Sequence, residues 1–168
     1  KTEKKRAYFC AKHIKKHFEK SMNHYDKNAV VQNMMASKMI IELCKISTNF
    51  ENILELGAGT GLLTKKVIQN INFKNYYAND IVDKSKLFIK EIIPNVQFLC
   101  GNALKIKPAK KADLIISNAM FQWFENLEKA IKILKLSLNK DGILAFSTFS
   151  PDNYNEITEL TGLCLKYK

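Results

Sequence analysis

The sequence predicts a doubly wound α/β domain, a mostly parallel sheet with helical crossovers, preceded by two helices. Three observations carry that expectation. Short apolar or aromatic segments alternate with stretches whose apolar residues recur at helical period, which demands parallel strands joined through helices. One segment, Ile53-Leu54-Glu55-Leu56, runs straight into Gly57-Ala58-Gly59-Thr60-Gly61, a glycine-rich turn that opens a helix. Finally, 168 residues that are 46% hydrophobic, with six glycines and three prolines, describe a single domain over 1–168 with enough apolar material for a core.

From the N-terminus, periodicity predicts helices over 7–20 and 28–44, then a strand over 53–56 and a helix over 61–70. Glycines at 57, 59 and 61 remove the Cβ atoms that would block close backbone approach, and the next helix begins with unpaired N–H groups. A nucleoside-bearing cofactor is therefore expected here. The dinucleotide fingerprint has its third glycine three residues after the second, to seat a pyrophosphate on the helix N-terminus; here Gly61 follows Gly59 by two. The second strand, 75–79, is rich in aromatics and delivers Asp80, 23 residues after Gly57. A carboxylate there can accept hydrogen bonds from both hydroxyls of a ribose. Capping the helix over 84–92 is the alternative role for Asp80, and Asp83 suits that cap better. A third strand over 96–100 ends in Gly101-Asn102-Ala103, and a fourth over 113–117 ends in Ser117-Asn118-Ala119. The following Met120-Phe121-Gln122-Trp123-Phe124 reads as an active-site rim, or as a helix start whose aromatics are core. A helix over 127–138 and a turn at Lys140-Asp141-Gly142 lead into a fifth strand over 143–149. In such sheets ligands sit outside the carboxyl ends of the strands where strand order reverses. That rule gathers the glycine loop, Asp80, Asn102 and the loop after Ser117 around one cleft.

The formal charge is +11, yet only Arg6 among the 27 basic residues is an arginine, which argues against nucleic acid. Lysines from Lys1 to Lys20 form a denser patch with His13 and His17, read as a solvated helix face or a dock for an acidic protein partner. The two histidines have no third ligand nearby, so no metal is expected. Cys10, Cys44, Cys100 and Cys164 are scattered without metal-like spacing and read as buried, reduced thiols. Apolar runs are too short to cross a bilayer and no signal-peptide pattern follows the basic N-terminus, so a cytoplasmic, monomeric protein is expected.

The Glu55-x-Gly57-x-Gly59-x-Gly61 pattern resembles the first motif of class I S-adenosylmethionine-dependent methyltransferases, whose loop wraps a cofactor without phosphate. A narrower likeness comes from Asp113-Leu114-Ile115-Ile116-Ser117-Asn118-Ala119 with Gln122-Trp123, and from Phe146-Ser147-Thr148-Phe149-Ser150-Pro151 followed by Asn155-Glu156-Ile157. With Phe18-Glu19-Lys20-Ser21-Met22-Asn23-His24-Tyr25-Asp26, Ala29-Val30-Val31-Gln32 and Met35-Ala36, these strings resemble the malonyl-acyl-carrier-protein O-methyltransferases of biotin synthesis over most of 6–157.

The resemblance implies a Rossmann-like methyltransferase sheet over 49–150 beneath N-terminal lid helices in 1–48. It also implies methyl transfer from S-adenosylmethionine to the free carboxylate of a malonyl thioester on acyl carrier protein, with S-adenosylhomocysteine as product. Cofactor contacts are expected at Glu55, Gly57, Ala58, Gly59, Gly61, Asp80, Ile81, Asn102, Ala103, Asn118 and Ala119. Substrate contacts are expected at Gln122 and Trp123, with Tyr25 closing over the site. The family commonly places an acidic residue where Asn102 stands, to bind the adenine amino group; asparagine can accept that bond through its carbonyl oxygen. No general base is expected, because a carboxylate is already ionised at neutral pH and the sulfonium methyl is already electrophilic. Arg6 or a first-helix lysine is expected to hold the substrate carboxylate. The family chain continues through another helix and two strands where this one stops at Lys168, so 151–168 reads as the start of a further helical segment and the last strands as absent. Rival readings are a methyltransferase for another small acid or a quinone and a noncatalytic module that binds the cofactor or the carrier. An RNA methyltransferase fits less well, since no Asn/Asp-Pro-Pro-Tyr string follows the fourth strand.

Overall fold

The computed structural model describes residues 29–149, and the first predicted helix, Tyr25, Cys10 and Cys164 lie outside them. Among the described residues the chain runs α1 (Val30–Cys44), β1 (Asn49–Leu56), α2 (Leu62–Asn70), β2 (Asn72–Asp80), α3 (Ser85–Ile92), β3 (Gln97–Cys100), β4 (Ala112–Asn118), a 3-10 turn (Phe121–Trp123), α4 (Leu127–Lys135) and β5 (Leu138–Ser147). All four strand pairings are parallel, in the order β3-β2-β1-β4-β5. Winding from β1 goes outward through β2 to β3, then jumps back to β4 on the other side of β1. The predicted doubly wound sheet is therefore present, and its switch point lies between β1 and β4.

Parallel strands covered on both faces read as continuous apolar runs, and Ile53-Leu54-Glu55-Leu56 and Leu114-Ile115-Ile116 are buried on both sides for that reason. On one face Ile53, Tyr76, Ala78, Leu114 and Ile116 pack with Ala36, Ile40 and Leu43 of α1, Leu63 and Val67 of α2 and Ile89 of α3. On the other, Leu54, Leu56, Tyr77 and Ile115 pack with Phe121 and Leu134. Phe121 stacks on Phe146 at 4.1 Å between ring centroids and meets Phe124 edge-on at 5.0 Å.

Boundaries differ from expectation where polarity hid the strands. β1 starts at Asn49 and β2 at Asn72, earlier than 53 and 75, because partners in register supply each other's side-chain hydrogen bonds. Asn72 Nδ2 donates to Asn49 Oδ1 at 3.0 Å and Asn75 Nδ2 to Asn52 Oδ1 at 2.8 Å. α4 stops at Lys135 rather than 138, since Leu138 already pairs with Ala112. The predicted turn at 140–142 sits inside β5 as an irregularity, the ladder resuming at Leu114 with Ile143. Two cysteine expectations need correction: Cys44 is half-buried and Cys100 exposed, the latter because it ends β3, which has a single neighbouring strand among the described residues. No helix among the described residues is long and apolar enough to cross a membrane.

Candidate functional site

At the carboxyl ends of the strands the backbone is knotted by a short set of bonds. Ser117 Oγ donates to Leu56 O at 2.8 Å across the switch point, joining β1 and β4 just where both chains leave the sheet. Ala58 N–H donates to Asn79 O at 3.0 Å and Gly101 N–H to Asp80 O at 2.8 Å, so the three loops after β1, β2 and β3 advance together. Asn79 adds two donations from Nδ2, to Leu99 O at 2.7 Å and Gly101 O at 2.9 Å.

Above this floor opens a cavity of about 650 Å³, within the roughly 300–1,000 Å³ range of small-molecule sites. Of the residues singled out in sequence, Gly57, Ala58, Gly59, Asp80, Ile81, Asn102, Ala103, Asn118, Ala119 and Trp123 line it. The three glycines divide by role. All have positive φ, at 68°, 55° and 86°, which only glycine adopts without strain. A Cβ on Gly59 would meet nothing within 4 Å and would stand in the cavity. One on Gly57 would fall 2.7 Å from Met120 Cγ, so that glycine serves the crossing of the loops after β1 and β4. One on Gly61 would strike Ile92 and Ile89 of α3; this glycine lets α2 pack and does not face the cavity.

Asp80 is 8% exposed, and both its oxygens already hold backbone: Oδ2 accepts from Gly59 N–H at 2.7 Å and Oδ1 from Val82 N–H at 2.8 Å. Burial pushes its pKa up, against the pull of those N–H groups. Ser85 and the Ile81 N–H also bond to this carboxylate, which pins the glycine loop and lines the cavity as its one acidic side chain beside Glu125 among the described residues. An N–H that a phosphate would need is thus occupied by a carboxylate, and Lys129 is the single basic side chain in the lining among the described residues. These donors fit an uncharged nucleoside better than a dinucleotide.

Glu55 was expected at the cofactor, and its place corrects that expectation. At 1% exposure it is absent from the cavity lining, and its Oε2 accepts from Thr64 Oγ1 and Tyr76 Oη, both at 2.6 Å. Burial raises its pKa to about 7, with the Thr64 and Tyr76 bonds opposing and the Asp80 charge adding. Burial and the Glu55 charge likewise hold the Tyr76 phenol well above its ordinary value. Gln122 is also displaced from its expected role: its Nε2 donates to Ala119 O at 2.6 Å and it is not among the residues lining this cavity.

That bond is part of a frame around Ala119, whose φ of 51° is a left-handed conformation unusual for alanine. Such a residue costs about 1–2 kcal/mol and needs its surroundings to hold it. Ala119 N–H donates to Ser147 O at 3.0 Å, while Asn118 accepts from Ser147 Oγ at 2.6 Å and donates to Gln32 O of α1 at 3.0 Å. The frame ties α1, β4 and β5 at the cavity edge. The aromatic alternatives split: Phe121 is core, whereas Trp123 and Phe124 wall the cavity. Met120 lines the cavity as the rim reading expects, whereas sequence reading missed Gln32, Ser85, Leu104, Asn126 and Lys129 in the lining. Only the position of Leu104, just past a strand end, signalled any of them.

A family profile described as "Methyltransferase domain" matches residues 3–164. Curated relatives include the malonyl-[acyl-carrier protein] O-methyltransferase of Calditerrivibrio nitroreducens, 35% identical over 91% of this chain and 61% of its own length. A second protein of that name, from Ilyobacter polytropus, is 36% identical over 88% of this chain and 58% of its own. The chain spans about 60% of the length of these relatives. Among solved structures, an S-adenosylmethionine-dependent methyltransferase from Clostridium acetobutylicum superposes with a TM-score of 0.66 at 23% identity, covering 83% of this chain and 61% of that one. That likeness speaks to the fold alone.

Proposed function

The chain belongs to the methyltransferase-domain family, and we propose that it esterifies the free carboxylate of a malonyl thioester carried on acyl carrier protein, using S-adenosylmethionine. The observation that carries this reading is the shared name of the relatives above, each aligned across nearly all of this chain. The cavity supports it. Its glycine-bared wall at Gly59, its buried ribose acceptor Asp80 and the absence of a phosphate cradle among the described residues suit a nucleoside with an amino-acid arm.

S-adenosylmethionine supplies an electrophilic methyl group when bound. The residues of the chain would then act by placement: Asp80 would take the ribose hydroxyls, Ile81, Ala103 and Leu104 would flank the base, and the Asn118–Ala119 frame forms the wall nearest α1. No His or Cys side chain lines the cavity among the described residues, and an ionised carboxylate needs no base. Aligning two reactants can lower a barrier by roughly 7–11 kcal/mol, which is the contribution asked of these walls. Tyr25, the proposed lid, and Arg6 and the first-helix lysines, proposed to hold the substrate carboxylate and meet an acidic carrier, lie outside the described residues.

The test is methyl transfer from labelled S-adenosylmethionine to malonyl carrier protein, malonyl-coenzyme A and RNA, side by side. Label in the malonyl carrier as a base-labile ester is the expected result. Cofactor binding without transfer to any acceptor would leave a binding module, and label in RNA alone would replace the substrate class.

A further inference from the structure

We propose that residues 7–20 pack antiparallel along the outward face of α1, as the first arm of a helical hairpin. α1 is apolar on two sides. Ala36, Ile40 and Leu43 pack on the sheet, whereas Val30, Met34 and Ile41 are 64%, 67% and 58% exposed. A helix that is apolar all round is one that is covered on both sides. Together with the half-buried Ser37, these outward residues recur at i, i+4, i+7 and i+11, a stripe about 16 Å long. The serine does not interrupt the stripe, because its Oγ donates to Asn33 O one turn back at 3.0 Å and needs no water.

The segment before α1 carries the matching stripe. Ala7, Ala11, Ile14 and Phe18 recur at the same i, i+4, i+7 and i+11, on the helix that periodicity predicts over 7–20. Folding the chain back about His24 sets Phe18 opposite Val30, Ile14 opposite Met34, Ala11 opposite Ser37 and Ala7 opposite Ile41. All four layers close in one register, and the two small residues share a layer. The connection, 21–28, falls within the roughly 2–8 residues that join neighbouring helices, so closing this hairpin costs little entropy. Residues 151–168 would have to return from beyond β5, and a second copy would have to associate from solution. The turn also brings Tyr25 to the end of α1 that carries Gln32, a residue of the cavity.

Disulfide capture in the full chain tests the register, with Cys10, Cys44, Cys100 and Cys164 replaced by serine. The pair Ile14→Cys with Met34→Cys lies across the seam, and Lys16→Cys with Met34→Cys puts one thiol on the opposite side of the same segment. A disulfide needs Cα atoms within about 7 Å, so in glutathione buffer the seam pair is expected to close within one chain at least about tenfold more favourably than the control. Equal closure of the two pairs, or bridges found only between chains, overturns the hairpin. Stronger closure of Leu160→Cys with Met34→Cys overturns it as well, by giving the face to the C-terminal segment. Hydrogen exchange reads the contact without added cysteines. Amides of 7–20 are expected to exchange at least about tenfold faster in Met34→Lys than in wild type, while those of β1 stay unchanged; equal exchange of 7–20 in the two proteins overturns the proposal.

Discussion

Replacing Glu55 by glutamine should remove a pH dependence of stability that burial builds into the floor of the site. The carboxyl is buried at 1% exposure and its pKa rises from 4.5 to about 7 in the folded chain. A group whose folded pKa is raised holds its proton more tightly when folded. Its stabilising contribution is therefore complete below pH 4.5, declines as pH rises, and is gone above about pH 7. At 1.36 kcal/mol per pKa unit the loss is about 3 kcal/mol. Glutamine keeps a carbonyl oxygen for Thr64 Oγ1 and Tyr76 Oη and does not titrate. Urea unfolding followed by circular dichroism, on both proteins from pH 4 to pH 8, isolates the group, because titrations elsewhere cancel in the difference. The stability of wild type minus that of Glu55→Gln should fall by about 3 kcal/mol across that span, with its midpoint between 4.5 and 7. A difference that stays flat from pH 4 to 8 would refute the claim that burial outweighs the two hydrogen bonds.

Asp80→Ala should weaken S-adenosylhomocysteine binding by roughly 1.5–3 kcal/mol and also lower folding stability by about 1–3 kcal/mol, because Gly59 and Val82 N–H lose their acceptor. Calorimetry and urea unfolding read the two losses separately, and unchanged stability would mean that the loop does not need this pin. Gly59→Ala should abolish most binding for about 1–2 kcal/mol of backbone strain, since its Cβ enters the cavity. Gly61→Ala should do the reverse, costing about 1–3 kcal/mol or more of stability against Ile92 with no ligand contact; equal effects at both positions would contradict the division of roles. For the carrier-bound substrate, kcat/KM should fall more steeply between about 50 and 500 mM salt than for malonyl-coenzyme A, and charge reversal at Lys12, Lys15 and Lys16 should mimic the salt. Parallel salt curves for the two substrates would remove the electrostatic docking.

The alternation of buried strands with helices, the glycine loop and the acidic residue ending β2 were legible in the chain. They rest on local rules: period, the steric freedom of glycine, and strand ends that face the ligand in a parallel sheet. Such rules name positions, not partners. That Glu55 is buried away from the cavity that Gly57 and Gly59 line follows from its bonds to Thr64 and Tyr76, residues 9 and 21 positions away. Gly57 and Gly61 look equivalent to Gly59 along the chain, and only the packing of Met120 and Ile92 against them distinguishes a structural glycine from one that bares the cavity. Gln122 and Asn102 show the same limit at finer scale. An amide's donor and acceptor are fixed by whichever backbone group claims one of them, Ala119 O for Gln122 and Leu104 N–H for Asn102. Residue types therefore determined which chemistry this chain could carry, and the tertiary contacts decided which hydrogen-bonding atoms remained for a ligand, because each such atom serves a limited number of partners.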